Sequence, residues 1–138
     1  MSGDDKNMSI RSLIREGYCC SQIILILALR LRAEENEAMV RAASGLCLGM
    51  HSGLTCGTLA AAAQALALFD PKNAATQMIP QLMEWYEEAY GGRYGSANCL
   101  DITGGSMRVD RCLDILGGTW NEVKRLLAEF GFEVGAGA

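Results

Sequence analysis

Two stretches, Cys20–Arg32 (CSQIILILALRLR) and Thr55–Phe69 (TCGTLAAAAQALALF), decide how this chain folds. Ile23, Ile24, Leu25, Ile26 and Leu27 place apolar side chains on every side of the first, and the alanine-rich second is apolar all round as well. A surface helix keeps its apolar residues to one stripe, whereas a helix apolar on all sides has to be surrounded by protein. These two stretches therefore read as a central pair of helices, packed closely against each other.

The flanking sequence supplies the cover. Ser9–Glu16 reads as a short amphipathic helix stopped near Gly17, and Glu34–Ser44 as another, followed by a glycine-punctuated loop from Gly45 to Gly53. Asp70-Pro71 gives a cap followed by proline at the first helical position, a strong start signal. That helix is expected to run to Tyr90 with Met78, Ile79, Leu82, Met83 and Tyr86 on one face, split or kinked by Pro80. Gly91–Gly105 reads as irregular and holds Cys99. Asp110 reads as the cap of a short helix bearing Cys112, and Thr119 with Glu122 as a capping box for a last helix stopped by Gly131. The expectation is an all-α, compact bundle of about five to seven helices. It forms a single domain over residues 1–138, with loose tails at 1–7 and 133–138.

Composition narrows the function. Half of the 138 residues are apolar, and the net charge of −4 comes without any Lys/Arg block, which argues against a nucleic-acid partner. The apolar run Ile23–Leu29 is too short to span a bilayer. The opening MSGDDKNMSIR lacks the basic-then-apolar order of a secretion signal, so a cytoplasmic location is expected. Two helices apolar all round are much for one small bundle to bury, and a homodimer covering part of them is expected.

Six cysteines, at 19, 20, 47, 56, 99 and 112, are many for a compartment that keeps thiols reduced. There they more often bind metal or cycle redox states than staple a fold. Several fall where a helix begins, and the N–H groups and dipole of a helix N-terminus favour thiolate over thiol. Cys56 has the most suggestive surroundings: Gly57 permits close approach of another backbone or of a ligand, and the hydroxyls of Thr55 and Thr58 can cap or donate to a sulfur. No Cys-x-x-Cys pair occurs, so neither a zinc ribbon nor a thioredoxin-type motif is present. Cys19 and Cys20 are neighbours about 3.8 Å apart at Cα, too close for an unstrained disulfide. If both were helical they would diverge by about 100°, so one site would seldom use both alike. His51, the single histidine, sits in the glycine loop as a candidate ligand or proton carrier, although a lone loop histidine is more often surface.

Gly17-Tyr18-Cys19-Cys20-Ser21-Gln22, Ala43-Ser44-Gly45 leading to Thr55-Cys56-Gly57, Gly95-Ser96-Ala97-Asn98-Cys99 and finally Cys112 together resemble the C-GCAxxG-C-C family. This is a set of small redox-active proteins named for that cysteine pattern, and the resemblance runs from about residue 9 to residue 130. It implies a helical fold and a redox or cofactor-binding role carried by Cys20, Cys56, Cys99 and Cys112. Cys19 stands where a cap such as Asn is usual and Cys47 where Gly is usual, so both are additions. They are expected near the four-cysteine site, as extra ligands or as a resolving thiol pair. The leading expectation is an iron–sulfur cluster or other metal bound by the thiolates of Cys20, Cys56, Cys99 and Cys112, serving electron transfer or cluster handling with a redox partner protein. Two alternatives stay open: a metal-free thiol–disulfide redox protein, and a helical interaction module with structural thiols.

Overall fold

The computed structural model describes residues 3–103 and 109–134. They are helical almost throughout, and the one β element among them is an isolated antiparallel bridge between Thr55 and Asn98. Helix α1 spans Gly3–Arg15, so it starts ahead of the expected Ser9, and residues 3–7 are helix instead of loose tail. Residues 1, 2 and 135–138 of the expected tails lie outside the described residues. Gly17, at φ 97°, ends α1 as foreseen: a left-handed residue lets the Gly17 and Tyr18 N–H groups turn back onto the carbonyls of Ile14 and Leu13.

Helix α2 (Cys20–Leu31) is the first central helix, with Cys19 as its N-cap. Helix α3 (Glu37–Ala43) starts later than expected because Asn36 caps it, its side chain accepting from the Met39 N–H at 3.0 Å. A 3-10 turn, Ser44–Leu46, and a wide turn, Gly49–Gly53, follow within the predicted glycine loop. Helix α4 (Gly57–Phe69) is the second central helix.

Asp70 caps the next segment, accepting from the Asn73 N–H at 3.1 Å with Pro71 at the first helical position. The helical path from 71 to 94 is α5 (Pro71–Asn73), a wide turn Ala74–Met78, α6 (Ile79–Tyr86), a wide turn Glu87–Gly91 and α7 (Gly92–Tyr94). Pro80 does not break it. A proline lacks an N–H and crowds the carbonyl four residues back, and the wide turn just ahead absorbs both effects.

The end of the chain departs most from expectation. Cys99 opens a short helix, α8 (Cys99–Thr103), instead of lying in a loop. Helix α9 runs unbroken over Val109–Glu129, so Asp110 is its second residue and not its cap, and Thr119–Glu122 is not a capping box. Thr119 is buried mid-helix without a partner for its hydroxyl, while Glu122 pairs with Arg125. Gly117-Gly118 looks like a break in sequence but serves packing: a Cβ on Gly118 would overlap the Tyr90 hydroxyl.

Helices α2 and α4 lie against each other. Ala61, Ala62 and Ala65 bring α4 close to Ile23, Ile24, Leu25 and Ala28 of α2, all without solvent exposure. Helix α9 covers α4 with Val123, Leu126 and Leu127, while α1 and α3 cover α2. Each fully buried Leu or Ile contributes about 1.5–3 kcal/mol. The two central helices thus find their cover within one chain. A second, smaller core of Cys56, Leu59, Tyr86, Tyr90, Ile102 and Ile115 joins the start of α4 to α8 and α9.

Candidate functional site

Three helix starts carry three of the family cysteines: Cys20 is the first residue of α2, Cys56 the N-cap of α4 and Cys99 the first residue of α8. Backbone pairing holds the last two together. The Cys56 N–H donates to the Ala97 carbonyl at 2.8 Å and the Cys99 N–H to the Leu54 carbonyl at 2.6 Å, on either side of the Thr55–Asn98 bridge. Packing of α2 on α4 brings Cys20 within electrostatic reach of both Cys56 and Cys99. Cys112, half-buried, is the fourth residue of α9, and α8 packs on α9. All four are thiols.

At two of them, Cys56 and Cys99, the expectation of thiolates at helix ends is corrected. Burial pushes the Cys56 thiol up from the ordinary 9.0, and the nearby Cys20 pushes it further. The N–H groups of Leu59 and Thr58 and the Thr58 hydroxyl bond the sulfur and pull the other way, as the local sequence led one to expect, but they do not win. Removing a charge from water outweighs the attraction of the helix N-terminus here. Cys99 is likewise raised, by burial first and then by Cys20. Tyr86, buried beside Cys56, is pushed up by burial and then by that thiol, and its hydroxyl donates to the Ser96 carbonyl at 2.9 Å.

A metal or cluster would need three or four donors converging on one point. Among the described residues no group of three or more His, Cys, Asp or Glu is so arranged. Cys20 is within electrostatic reach of Cys56 and of Cys99, and among the described residues these thiols do not make up such a ligand set.

The two additional cysteines are joined to each other. Cys19 and Cys47 form a disulfide across 28 residues, with Cα atoms 6.3 Å apart, inside the usual range of roughly 4.4–6.8 Å. Cys19 is half-buried at the head of α2, whereas Cys47 is 5 % exposed. Between them lies Ser21, fully buried, whose hydroxyl donates to the Ala43 carbonyl at 2.7 Å. Its oxygen sits 2.9 Å from the Cys47 sulfur and 3.4 Å from that of Cys19. The sequence carried no signal for Ser21 beyond a polar residue opening an apolar helix.

The loop after Cys47 leads directly to Cys56. Leu48, Met50 and His51 all have φ between 55° and 59°, a left-handed conformation that non-glycine residues rarely adopt. His51 is exposed and its Nε2 donates to the Ser44 carbonyl at 3.0 Å, so it pins the loop to itself. Gly57 is where this loop meets α4: a Cβ there would stand 2.5 Å from the Leu46 carbonyl oxygen. The foreseen close approach of backbone at Gly57 is therefore present.

No curated protein and no solved structure matches this chain. A family model described as "Putative redox-active protein (C_GCAxxG_C_C)" matches residues 18–126, a span that holds all six cysteines, both central helices and the loop between them. The chain belongs to the C_GCAxxG_C_C family that this model describes.

Proposed function

We propose that this protein performs thiol–disulfide redox chemistry, with Cys19–Cys47 as the couple that is reduced and re-formed. Cys20, Cys56 and Cys99, with Cys112 as the fourth family position, form an adjoining set of thiols. The observation that carries the reading is the disulfide itself. It links the head of α2 to the loop that leans on the head of α4, one residue away from Cys20. The couple carries two electrons, which a low-molecular-weight thiol or a cysteine-bearing partner protein supplies or takes up. In a compartment that keeps thiols reduced, such a bond is transient and catalytic or sensing. Equilibration in glutathione buffers of graded ratio, followed by alkylation and mass spectrometry, tests this. Two alkylated cysteines should be gained reversibly in the folded protein, at 19 and 47. A pair that opens only after denaturation would make the bond a staple and end the proposal.

A second reading keeps one observation in its favour. Cys20 is felt by both Cys56 and Cys99, and all three stand at helix starts, a setting that suits thiolates around an iron–sulfur cluster or metal. The thiols would have to close up from their present positions to serve as ligands. Anaerobic purification with iron, zinc and acid-labile sulfide analysis separates the readings, since a visible band lost in Cys56→Ser belongs to the cluster alone. The expected cytoplasmic location is part of this proposal, while the burial argument for a homodimer lapses because one chain covers both central helices. Among the described residues no helix is long and apolar enough to cross a membrane.

A further inference from the structure

We infer that the Cys19–Cys47 bond has a fixed polarity, with Cys19 as the sulfur that is attacked and Cys47 as the leaving sulfur, and that Ser21 is the positioning residue that sets it. This rests on the thiol–disulfide reading above and adds to it the direction of exchange and a residue outside the cysteines. The first argument is access. Cys19 is half-buried at the head of α2, and Cys47 is almost fully enclosed, so Cys19 is the more open of the two to an incoming thiolate. The second is what receives the departing charge. A buried thiolate with no donor is costly, and its cost slows departure because a leaving thiol of higher pKa leaves more slowly.

Ser21 meets that need. A hydroxyl has one proton and two lone pairs. While the disulfide is intact both sulfurs lack a proton, and the single Ser21 proton goes to the Ala43 carbonyl at 2.7 Å. The Ser21 oxygen nevertheless stands 2.9 Å from the Cys47 sulfur, nearer than to Cys19 at 3.4 Å. Rotation about one bond turns the O–H from the carbonyl to the sulfur. When Cys47 later holds its own proton, the relay runs from its S–H to the Ser21 oxygen and from the Ser21 O–H to Ala43.

The exchange balances with a small thiol such as glutathione as reductant. Its thiolate attacks the Cys19 sulfur, a new S–S bond forms there, the Cys19–Cys47 bond breaks, and the electron pair leaves on Cys47 as thiolate with the Ser21 O–H turned towards it. A second glutathione thiolate then attacks the mixed disulfide, releasing oxidised glutathione and the Cys19 thiolate. Both protein thiolates take protons from water. Two thiols are oxidised and one disulfide is reduced. Re-oxidation by oxidised glutathione retraces these steps, with the Cys47 thiolate displacing glutathione from Cys19.

Acid-quenched reaction of the full chain with glutathione from pH 6 to 9, followed by alkylation and peptide mass spectrometry, tests the inference. In the wild type the mixed disulfide should sit on Cys19. In Ser21→Ala, reduction should slow by about three- to tenfold, and the pH midpoint for re-closure by Cys47 should rise by about one unit, a tenfold change in thiolate population at a given pH. Glutathione found on Cys47 overturns the polarity, and this readout uses the wild type alone, so it holds even if Ser21→Ala fails to fold. An unchanged rate and pH profile in a folded Ser21→Ala protein overturns the role of Ser21 while leaving the redox reading intact. A wild-type bond that never exchanges overturns both.

Discussion

Gly57→Ala sets two well-understood effects against each other at the junction of the disulfide loop and α4. Alanine in place of glycine in a helix is worth up to about 1 kcal/mol in its favour. Against this, the new Cβ would stand 2.5 Å from the Leu46 carbonyl oxygen and 3.1 Å from its carbon, where ordinary contact begins at 3.4 Å. The obstacle is backbone, not the tip of a flexible side chain. It is held just before Cys47, which is tied to α2 through Cys19. A retreat of roughly 0.9 Å at the oxygen is needed, and overpacking on that scale costs about 1–3 kcal/mol. The clash should win, leaving Gly57→Ala about 1–2 kcal/mol less stable, or roughly 3–8 °C lower in Tm for a chain of this size. Gly92→Ala is the control: its φ of −70° is helical and no heavy atom lies within 4 Å of the added Cβ, so it should be neutral or slightly stabilising. Thermal unfolding of both variants, with and without reductant, gives the answer. Opening the disulfide frees Leu46 to retreat, so the loss at Gly57 should shrink in reductant. A Gly57→Ala protein that melts at or above the wild-type temperature would refute the close-approach argument.

Three other outcomes follow from the same geometry. Reducing Cys19–Cys47 releases a loop of 28 residues in the unfolded chain, which lowers stability by about 3–4 kcal/mol, and a scan in reductant that leaves Tm unmoved would contradict this. Cys56 and Cys99 both have their folded values raised above the ordinary 9.0, so their contribution to stability is complete below that pH and is lost as pH rises past it; urea midpoints from pH 7 to 10.5 should fall, and fall less in Cys56→Ser. Gly118→Ala should destabilise the wild type yet become neutral or favourable in a Tyr90→Phe background, because the hydroxyl is the overlapping atom and the ring carbon behind it stands at 3.5 Å; additive effects in the double-mutant cycle would argue against that contact.

The central helices were legible in sequence because burial on every side leaves an unmistakable mark, and Gly17, Asp70 and Pro71 acted as their chemistry dictates. The family was legible through the local contexts of the cysteines. What failed was local reading at the C-terminal end. Gly117-Gly118 and Thr119 carry the signs of a helix break, but Tyr90 of the wide turn Glu87–Gly91 occupies the space a Cβ on Gly118 would fill, and tertiary packing overrides the local signal. Thiolate character was overestimated for a related reason: the helix-end effect is visible from position, whereas desolvation depends on Leu59, Tyr86 and Ile115 closing around Cys56. Ser21 became meaningful only once α3 delivered the Ala43 carbonyl and the loop delivered Cys47.

Cys19 and Cys20 share a peptide bond yet serve different sulfurs, and the separation is one of helical phase. Cys19 is the extended N-cap and Cys20 the first helical residue, so pairing Cys20 with Cys47 instead would require α2 to turn about its axis. That rotation would carry Ile23, Ile24 and Leu25 out of the core and Gln22 away from the Val40 carbonyl it holds at 3.1 Å. The choice of Cys19 over Cys20 as the partner of Cys47 is thus enforced by the apolar core and not by the sulfurs. A Cys20–Cys47 bond would have to unpack α2 first.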